Sequence, residues 1–299
     1  MTTRLSPSTA ALLTVPPLLW AGNAIVGRLV RQAVPPMTLN LLRWSIALLI
    51  LLPLGRFLFR DGGALLSNWR RYALLGLLGI GLYNSFQYLA LQTSTPINVT
   101  LVASGMPVWM LLVGALFFGV PATRKQAAGA ALSIAGVLLV LCRGQWELLL
   151  AMRLVPGDVY MILATIAWSF YSWLLTQKKD PPEERADWAA FLLAQVFYGV
   201  LWSGSFAAGE WALGAPSVVW TWRVLAGLLY VAVGPAILAF RCWGAGVQRA
   251  GPSVGAFFVN LTPLFTAMMS AAFLGEAPHL YHVAAFALIV GGIVFSARR

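Results

Sequence analysis

Few side chains in this sequence could do chemistry, and most of those stand inside long apolar runs. Asn23 shares one helical face with Pro16, Trp20 and Gly27. Tyr83, Asn84, Gln87 and Tyr88 crowd into two turns, while Met161, Thr165, Trp168, Ser169 and Ser172 form a stripe that leaves Tyr171 and Trp173 pointing elsewhere. Asn98, Ser104 and Trp109 lie around Pro107, as Asn260, Thr262 and Thr266 lie around Pro263. Amides and hydroxyls donate and accept hydrogen bonds, and ring faces take apolar or cationic groups. Brought together, Asn23, Tyr83, Gln87, Tyr88, Asn98, Ser104, Trp109, Thr165, Trp168, Ser169, Asn260 and Thr262 would line an uncharged, polar and aromatic cavity, which suits a zwitterion. Plainer readings stand beside this one: Asn23 as a staple between helices, Tyr88 as an interfacial belt residue, Trp168 as packing.

The groups that are missing narrow the chemistry. Neither Asp nor Glu falls in the middle of an apolar run; Asp158 opens one and Glu276 follows one. Ion-coupled carriers usually rely on an intramembrane carboxylate, so uncoupled movement of a solute is the expectation. The sequence holds no His-Glu-x-x-His pair, no paired membrane aspartates and no Ser with His inside one run, which speaks against an enzyme. His279 and His282 lack a third ligand, so neither a metal nor a cofactor is expected. Cys142 and Cys242 fall near opposite membrane faces, too far apart to bridge, and read as small hydrophobes. Arg43 is the one charge expected to be deep. It either snorkels, binds carbonyls of a neighbour or meets a substrate carboxylate, with a structural role favoured; Arg241, nearer the inner end, is expected to snorkel.

The elements that position these residues follow from composition. With 60% apolar and 10% charged residues over 299, the chain is too apolar for a soluble core and reads as an all-α, multi-spanning membrane protein. The +11 net charge sits in short gaps between apolar runs, without the aromatic-basic patch that nucleic acid needs, so no nucleic-acid partner is expected. Ten runs are long enough to span a bilayer: 10–30, 37–58, 72–91, 96–119, 125–142, 157–176, 188–208, 222–246, 252–275 and 280–297. The first is read as a span and not a removed signal, because it holds Pro16, Pro17 and Asn23 and lacks a small-residue cleavage pattern after it. Most Lys and Arg fall in the gaps that are cytoplasmic when the N-terminus is inside, which places both termini in the cytoplasm of a bacterial inner membrane.

One segment occurs twice. At a constant offset Gln92 matches Gln248, Pro96 matches Pro252, Pro107 matches Pro263, Phe117 matches Phe273 and Gly119 matches Gly275. Residues 1–148 and 149–299 therefore read as two five-span repeats, and an odd number of spans makes the second copy inverted with respect to the first. The second proline of each copy should break its helix, Pro107 freeing the carbonyl of Ala103 and Pro263 that of Val259. Pro235 should free that of Val231, without a proline partner at the equivalent Gly79. Broken helices in lipid must face protein or a polar cavity, so Pro107, Pro235 and Pro263, with Gly76, Gly79 and Gly81, are the expected hinges of a central site between repeats. Small residues Gly129, Ser133 and Gly136, with Ala285 and Gly292, should let the fifth and tenth spans pack closely or self-associate.

Trp20-Ala21-Gly22-Asn23, Arg43-Trp44, Gly157-Asp158 and Gly275-Glu276, in a five-plus-five layout, resemble the EamA group of the drug/metabolite transporter superfamily, and within it the bacterial YddG-type amino-acid exporters. The resemblance covers nearly the whole chain. It implies an inner-membrane exporter with a central cavity lined by spans 1, 3, 4, 6, 8 and 9. The function expected is export of neutral amino acids, including bulky apolar or aromatic ones, and related metabolites by alternating access without ion coupling. Drug or cationic-toxin efflux is the alternative, though it would favour an acidic cavity residue, and an intramembrane enzyme is a remote one. Partners are then a small-molecule substrate and membrane lipid, with monomer and homodimer both open.

Overall fold

The computed structural model describes residues 5–59, 64–94, 99, 102–142, 144–151, 155–177, 187–214, 217–274 and 280–297. Among these the regular structure is all helix. The principal helices are α1 (Pro7–Val30), α2 (Pro36–Leu54), α3 (Trp69–Thr93), α4 (Met106–Phe117), α5 (Arg124–Leu141), α6 (Pro156–Thr176), α7 (Trp188–Leu213), α8 (Trp222–Ala250), α9a (Pro252–Val259), α9b (Leu261–Leu274) and α10 (Leu280–Ala297). Six of them, α1, α2, α3, α6, α7 and α8, carry stretches long and apolar enough to cross a membrane, so this is a multi-pass membrane protein.

Local chemistry sets where these helices start. Pro7, Pro36, Pro156 and Pro252 occupy first-turn positions, where a missing N–H is harmless. The Ser6 hydroxyl accepts from Thr9 N at 3.2 Å, the Asp187 carboxylate from Ala189 N and Ala190 N at 2.9 and 3.2 Å, and the Thr221 hydroxyl from Val224 N at 3.3 Å. The start of α2 is capped from outside: Glu210 of α7 accepts Met37 N at 3.0 Å and Thr38 N at 2.9 Å. α2 also stops earlier than the apolar run implies, giving way after Leu54 to a short 3-10 turn over Arg56–Phe59.

The breaks are real but differ in their cause from the sequence expectation. Pro107 does not interrupt a running helix. The chain turns at Ser104 and Gly105, Gly105 N bonds to Val102 O at 3.1 Å, and Pro107 stands in the first turn of the helix that restarts at Met106. The second copy turns at Asn260, whose N–H bonds to Phe257 O at 3.3 Å, and Pro263 lies in the first turn of α9b. Ser104 and Asn260 stand at the same offset as the two prolines. Pro235 lies in a π-helical stretch of α8, Ala232–Leu238. α3 has the same departure over Leu77–Leu82, around Gly79, where no proline announced it. There a Cβ would sit 2.7 Å from the Tyr171 ring, so the widened turn and the absent side chain together admit an aromatic from α6.

The most extensive packing is between α5 and α10. A Cβ on Gly129 would come within 2.8 Å of Gly292 O, one on Gly292 within 2.7 Å of Gly129 O, and one on Gly136 within 2.9 Å of Ala285 O, so these backbones touch as expected from the small residues. α2 packs on α7 and α4 on α9a; α1 packs on α8 and α9b, while α6 packs on α3 and α4. These principal pairs map onto one another when each helix is exchanged for the one five places along, whereas the contacts of α5 with α9b and of α6 with α8 have no counterpart of comparable extent among the described residues.

Candidate functional site

Trp168 of α6 is a hub where α1, α3, α6 and α8 meet, with 1% of its surface exposed. Its ring lies 5.2 Å from Trp20 of α1, 4.8 Å from Tyr83 of α3, and 5.5 and 5.2 Å from Trp243 and Phe240 of α8. Tyr171, expected to point elsewhere, also touches it at 4.9 Å, while its hydroxyl reaches Gln195 of α7 at 3.0 Å. Each such pair adds about 0.5–1.5 kcal/mol beyond area burial, so the cluster is both a filler and a cohesive plug. Trp173 does point away, its Nε1 donating to Met110 O of α4 at 2.8 Å.

A second cluster is polar and centred on Arg43. This guanidinium is 1% exposed, and its Nη1 donates to Asn23 Oδ1 at 3.2 Å, Asn84 Oδ1 at 3.0 Å and the Tyr88 hydroxyl at 2.9 Å. The Tyr88 hydroxyl lies 3.2 Å from Asn23 Oδ1, and Asn23 Nδ2 reaches Gln87 Oε1 at 3.5 Å. Asn84 Nδ2 donates to Gly79 O at 3.2 Å, in the π turn. Tyr88 is therefore a core residue and not a belt residue, and Arg43 does not snorkel: its Nη1 binds side-chain amide and hydroxyl oxygens of neighbouring helices, with no backbone carbonyl among its described partners. Every Nη1 partner is neutral, and Nε has none among the described residues. Burying an ion costs several kcal/mol, which three amide or hydroxyl oxygens offset only in part.

The expected site residues divide between these clusters and elsewhere. Asn23, Tyr83, Gln87, Tyr88 and Trp168 come together across α1, α3 and α6. Thr165 and Ser169 are on α6, but their hydroxyls donate to Ile162 O at 2.7 Å and Thr165 O at 2.8 Å, within the helix. Ser104 is buried at the first break and Trp109 half-buried one turn further on. Asn260 turns away from Trp168, its Nδ2 donating to Ser133 of α5 at 2.9 Å, and the Thr262 hydroxyl finds no partner among the described residues. Asn98, Glu276 and His279 lie outside the described residues, as does the side chain of His282. Asp158 stays at its helix start, buried, with Oδ2 accepting Val155 N at 2.9 Å and Oδ1 held by the Ser94 hydroxyl. Arg241 is exposed and stacks over Trp188 at 4.1 Å, and both cysteines are free.

Sequence reasoning missed Trp243, Phe240, Trp44 and the part Asn84 plays. Trp243 is fully buried, and its Nε1 donates to Ser172 Oγ at 3.1 Å, tying α8 to α6. Phe240 bridges Trp168 and Trp44 of α2 at 5.2 and 4.9 Å. The signal was present in α8 as an aromatic spacing of three, but nothing local told which helix it faced.

A multi-pass helical bundle whose centre joins an aromatic cluster to a buried amide and guanidinium network is the architecture of a solute transporter. The chain belongs to the EamA-like transporter family, whose profile matches residues 8–142 and again 155–298. An uncharacterised transporter of Archaeoglobus fulgidus is 29% identical over 97% of this chain and 95% of its own. The aromatic amino acid exporter YddG of Ancylobacter novellus is 27% identical over 92% of each. A probable amino-acid metabolite efflux pump of Salmonella typhimurium is 26% identical over 95% of this chain and 92% of its own. One solved crystal structure shares the fold at a TM-score of 0.73 and 23% identity, covering 97% of this chain and 96% of its own.

Proposed function

We propose that this transporter exports neutral amino acids, bulky apolar and aromatic ones included, and related metabolites from the cytoplasm across a bacterial inner membrane. The observation that carries the reading is the pairing at one centre of ring faces from Trp20, Tyr83, Trp168 and Trp243 with an amide and hydroxyl set from Asn23, Asn84, Gln87 and Tyr88. The first takes an aliphatic or aromatic side chain, and the second takes the polar end of an amino acid. The names of two relatives, an aromatic amino acid exporter and a probable amino-acid metabolite efflux pump, support the same substrate class. A buried cation at the centre counts against cationic cargo and so against drug or toxin efflux.

The mechanism proposed is alternating access of ten spans arranged as two inverted repeats, 1–148 and 149–299, with both termini cytoplasmic. Three observations support two repeats: the doubled family match, the breaks at Ser104 and Asn260, and the principal helix pairs that survive exchange of the halves. The described carboxylates sit at helix ends or in caps, which favours movement down the substrate's own gradient. Purified protein in liposomes tests this directly. Saturable uptake of phenylalanine, leucine or methionine that needs neither a pH gradient nor a membrane potential is expected. Uptake of none of them, or uptake only under a proton gradient, overturns the substrate or the coupling respectively.

A further inference from the structure

We infer that Arg43 is the carboxylate receptor of the site, so that a negatively charged carboxylate, and not merely a bulky side chain, is what admits a substrate. This rests on the amino-acid reading above and deepens it. Arg43 is buried to 1%, its Nη1 meets only neutral oxygens, and its Nε has no acceptor among the described residues. Two more buried donors nearby are equally without an acceptor among the described residues: Nε1 of Trp44, whose indole lies 5.2 Å from the guanidinium, and Nε1 of Trp168. Phe240 touches both indoles, at 4.9 and 5.2 Å, so these rings flank one locality. A buried centre with surplus donors and an uncompensated positive charge lacks an acceptor that carries negative charge.

The geometry orders the guest. Asn23, Asn84 and Tyr88 hold Nη1 by their oxygens, which fixes the guanidinium plane. Planar two-point contact is what a guanidinium offers a carboxylate. Tyr83 packs on Trp168 at 4.8 Å beside the network, so a carboxylate held at Arg43 directs the rest of the molecule towards the rings of Trp168, Trp20 and Trp243. There the ammonium and side chain meet aromatic faces. Reaching Arg43 requires rearrangement of the sealed centre, as alternating access supplies.

The test is a matched ligand series on the unmodified protein, read as competition against bound or transported labelled phenylalanine: 3-phenylpropionate, which keeps the carboxylate, and 2-phenylethylamine, which keeps only the ammonium. The acid is expected to compete and the amine to be weaker by about tenfold or more. Arg43→Gln is expected to weaken phenylalanine by a similar factor while strengthening the amine, from which it removes a like charge, with Arg43→Lys falling between. An amine that competes as well as the acid overturns the assignment, and so does an Arg43→Gln loss that is equal for all ligands. Because the ligand series needs no variant, it decides even where Arg43→Gln does not fold. If the protein binds no amino acid at all but still prefers the acid to the amine, measured directly by calorimetry, the exporter reading falls while the carboxylate receptor stands.

Discussion

Trp168 and Trp243 present the same ring in the same cluster, but their indole nitrogens differ. The Trp243 N–H is bonded to Ser172, while the Trp168 N–H has no acceptor among the described residues. Replacing either by phenylalanine removes comparable volume from a fully buried position. The difference between the two variants therefore isolates the hydrogen bond. Trp243→Phe is expected to be less stable than Trp168→Phe by about 1–3 kcal/mol, because it removes a buried hydrogen bond, leaving Ser172 only its bond to Trp168 O, while the other removes an unsatisfied donor. Thermal midpoints of the two purified variants, measured side by side in detergent, check it; equal midpoints would show that the Trp243 bond contributes nothing. At this scale the sequence was half legible. Helical spacing was enough to put Asn23, Gln87 and Trp168 on inward faces, since polar groups in lipid have nowhere else to go. It could not say that Thr165 and Ser169 would turn their hydroxyls back on their own helix, or that Arg43 would collect amides, because both depend on what stands across the gap.

At the scale of elements, a repeated proline marked the breaks but misattributed them. Ser104–Gly105 and Asn260 are where the backbone turns, and Pro107 and Pro263 follow as first-turn residues of the restarted helices. The π turn of α3 carried no proline, only the glycines Gly76, Gly79 and Gly81, and which aromatic it would admit, Tyr171 against Gly79, had no local sign. Small residues were the most readable feature of all, since a glycine row on an apolar helix has few uses besides close approach. Gly292→Ala places a methyl within 2.7 Å of Gly129 O and must push α5 from α10. A loss of about 1–3 kcal/mol is expected, as for other overpacked contacts. Gly209→Ala in α7 meets nothing within 4 Å and should instead stabilise by about 0.5–1 kcal/mol. Thermal unfolding of this pair separates contact from helix propensity, and a stabilised Gly292→Ala would sink the close-packing argument.

For the whole molecule, the pattern of bonds says which helices can move as units under the proposed alternating access. α3 and α6 are tied at both ends: Ser94 bonds Asp158 at one, and Arg71 donates to Leu174 O and Gln177 O at 3.1 Å each at the other. α1 and α8 are tied too, through Trp20 Nε1 to Pro235 O at 3.3 Å and the Tyr230 hydroxyl to Leu19 O at 3.1 Å. Between these pairs lie ring contacts, the single Trp243–Ser172 hydrogen bond and the amide network, which separate and re-form more readily than a helix packed along its length. Val30, Val34, Leu39, Tyr88, Val224 and Leu228 close one end over them. Two disulfides placed in a background lacking Cys142 and Cys242 distinguish motion within a pair from motion between pairs. Ser94→Cys with Asp158→Cys joins α3 to α6, where side chains already touch. Gly27→Cys with Leu91→Cys joins α1 to α3, where a Cβ on Gly27 would lie 4.0 Å from Leu91 Cδ1, so the two side chains meet and a bridge forms when the helices close in slightly. Oxidation should leave uptake through the first variant near its reduced rate and stop it in the second, with a reductant restoring it. If the α3–α6 bridge arrests transport while the α1–α3 bridge does not, the moving boundary runs between α3 and α6, and the two pairs are not the rocking bodies.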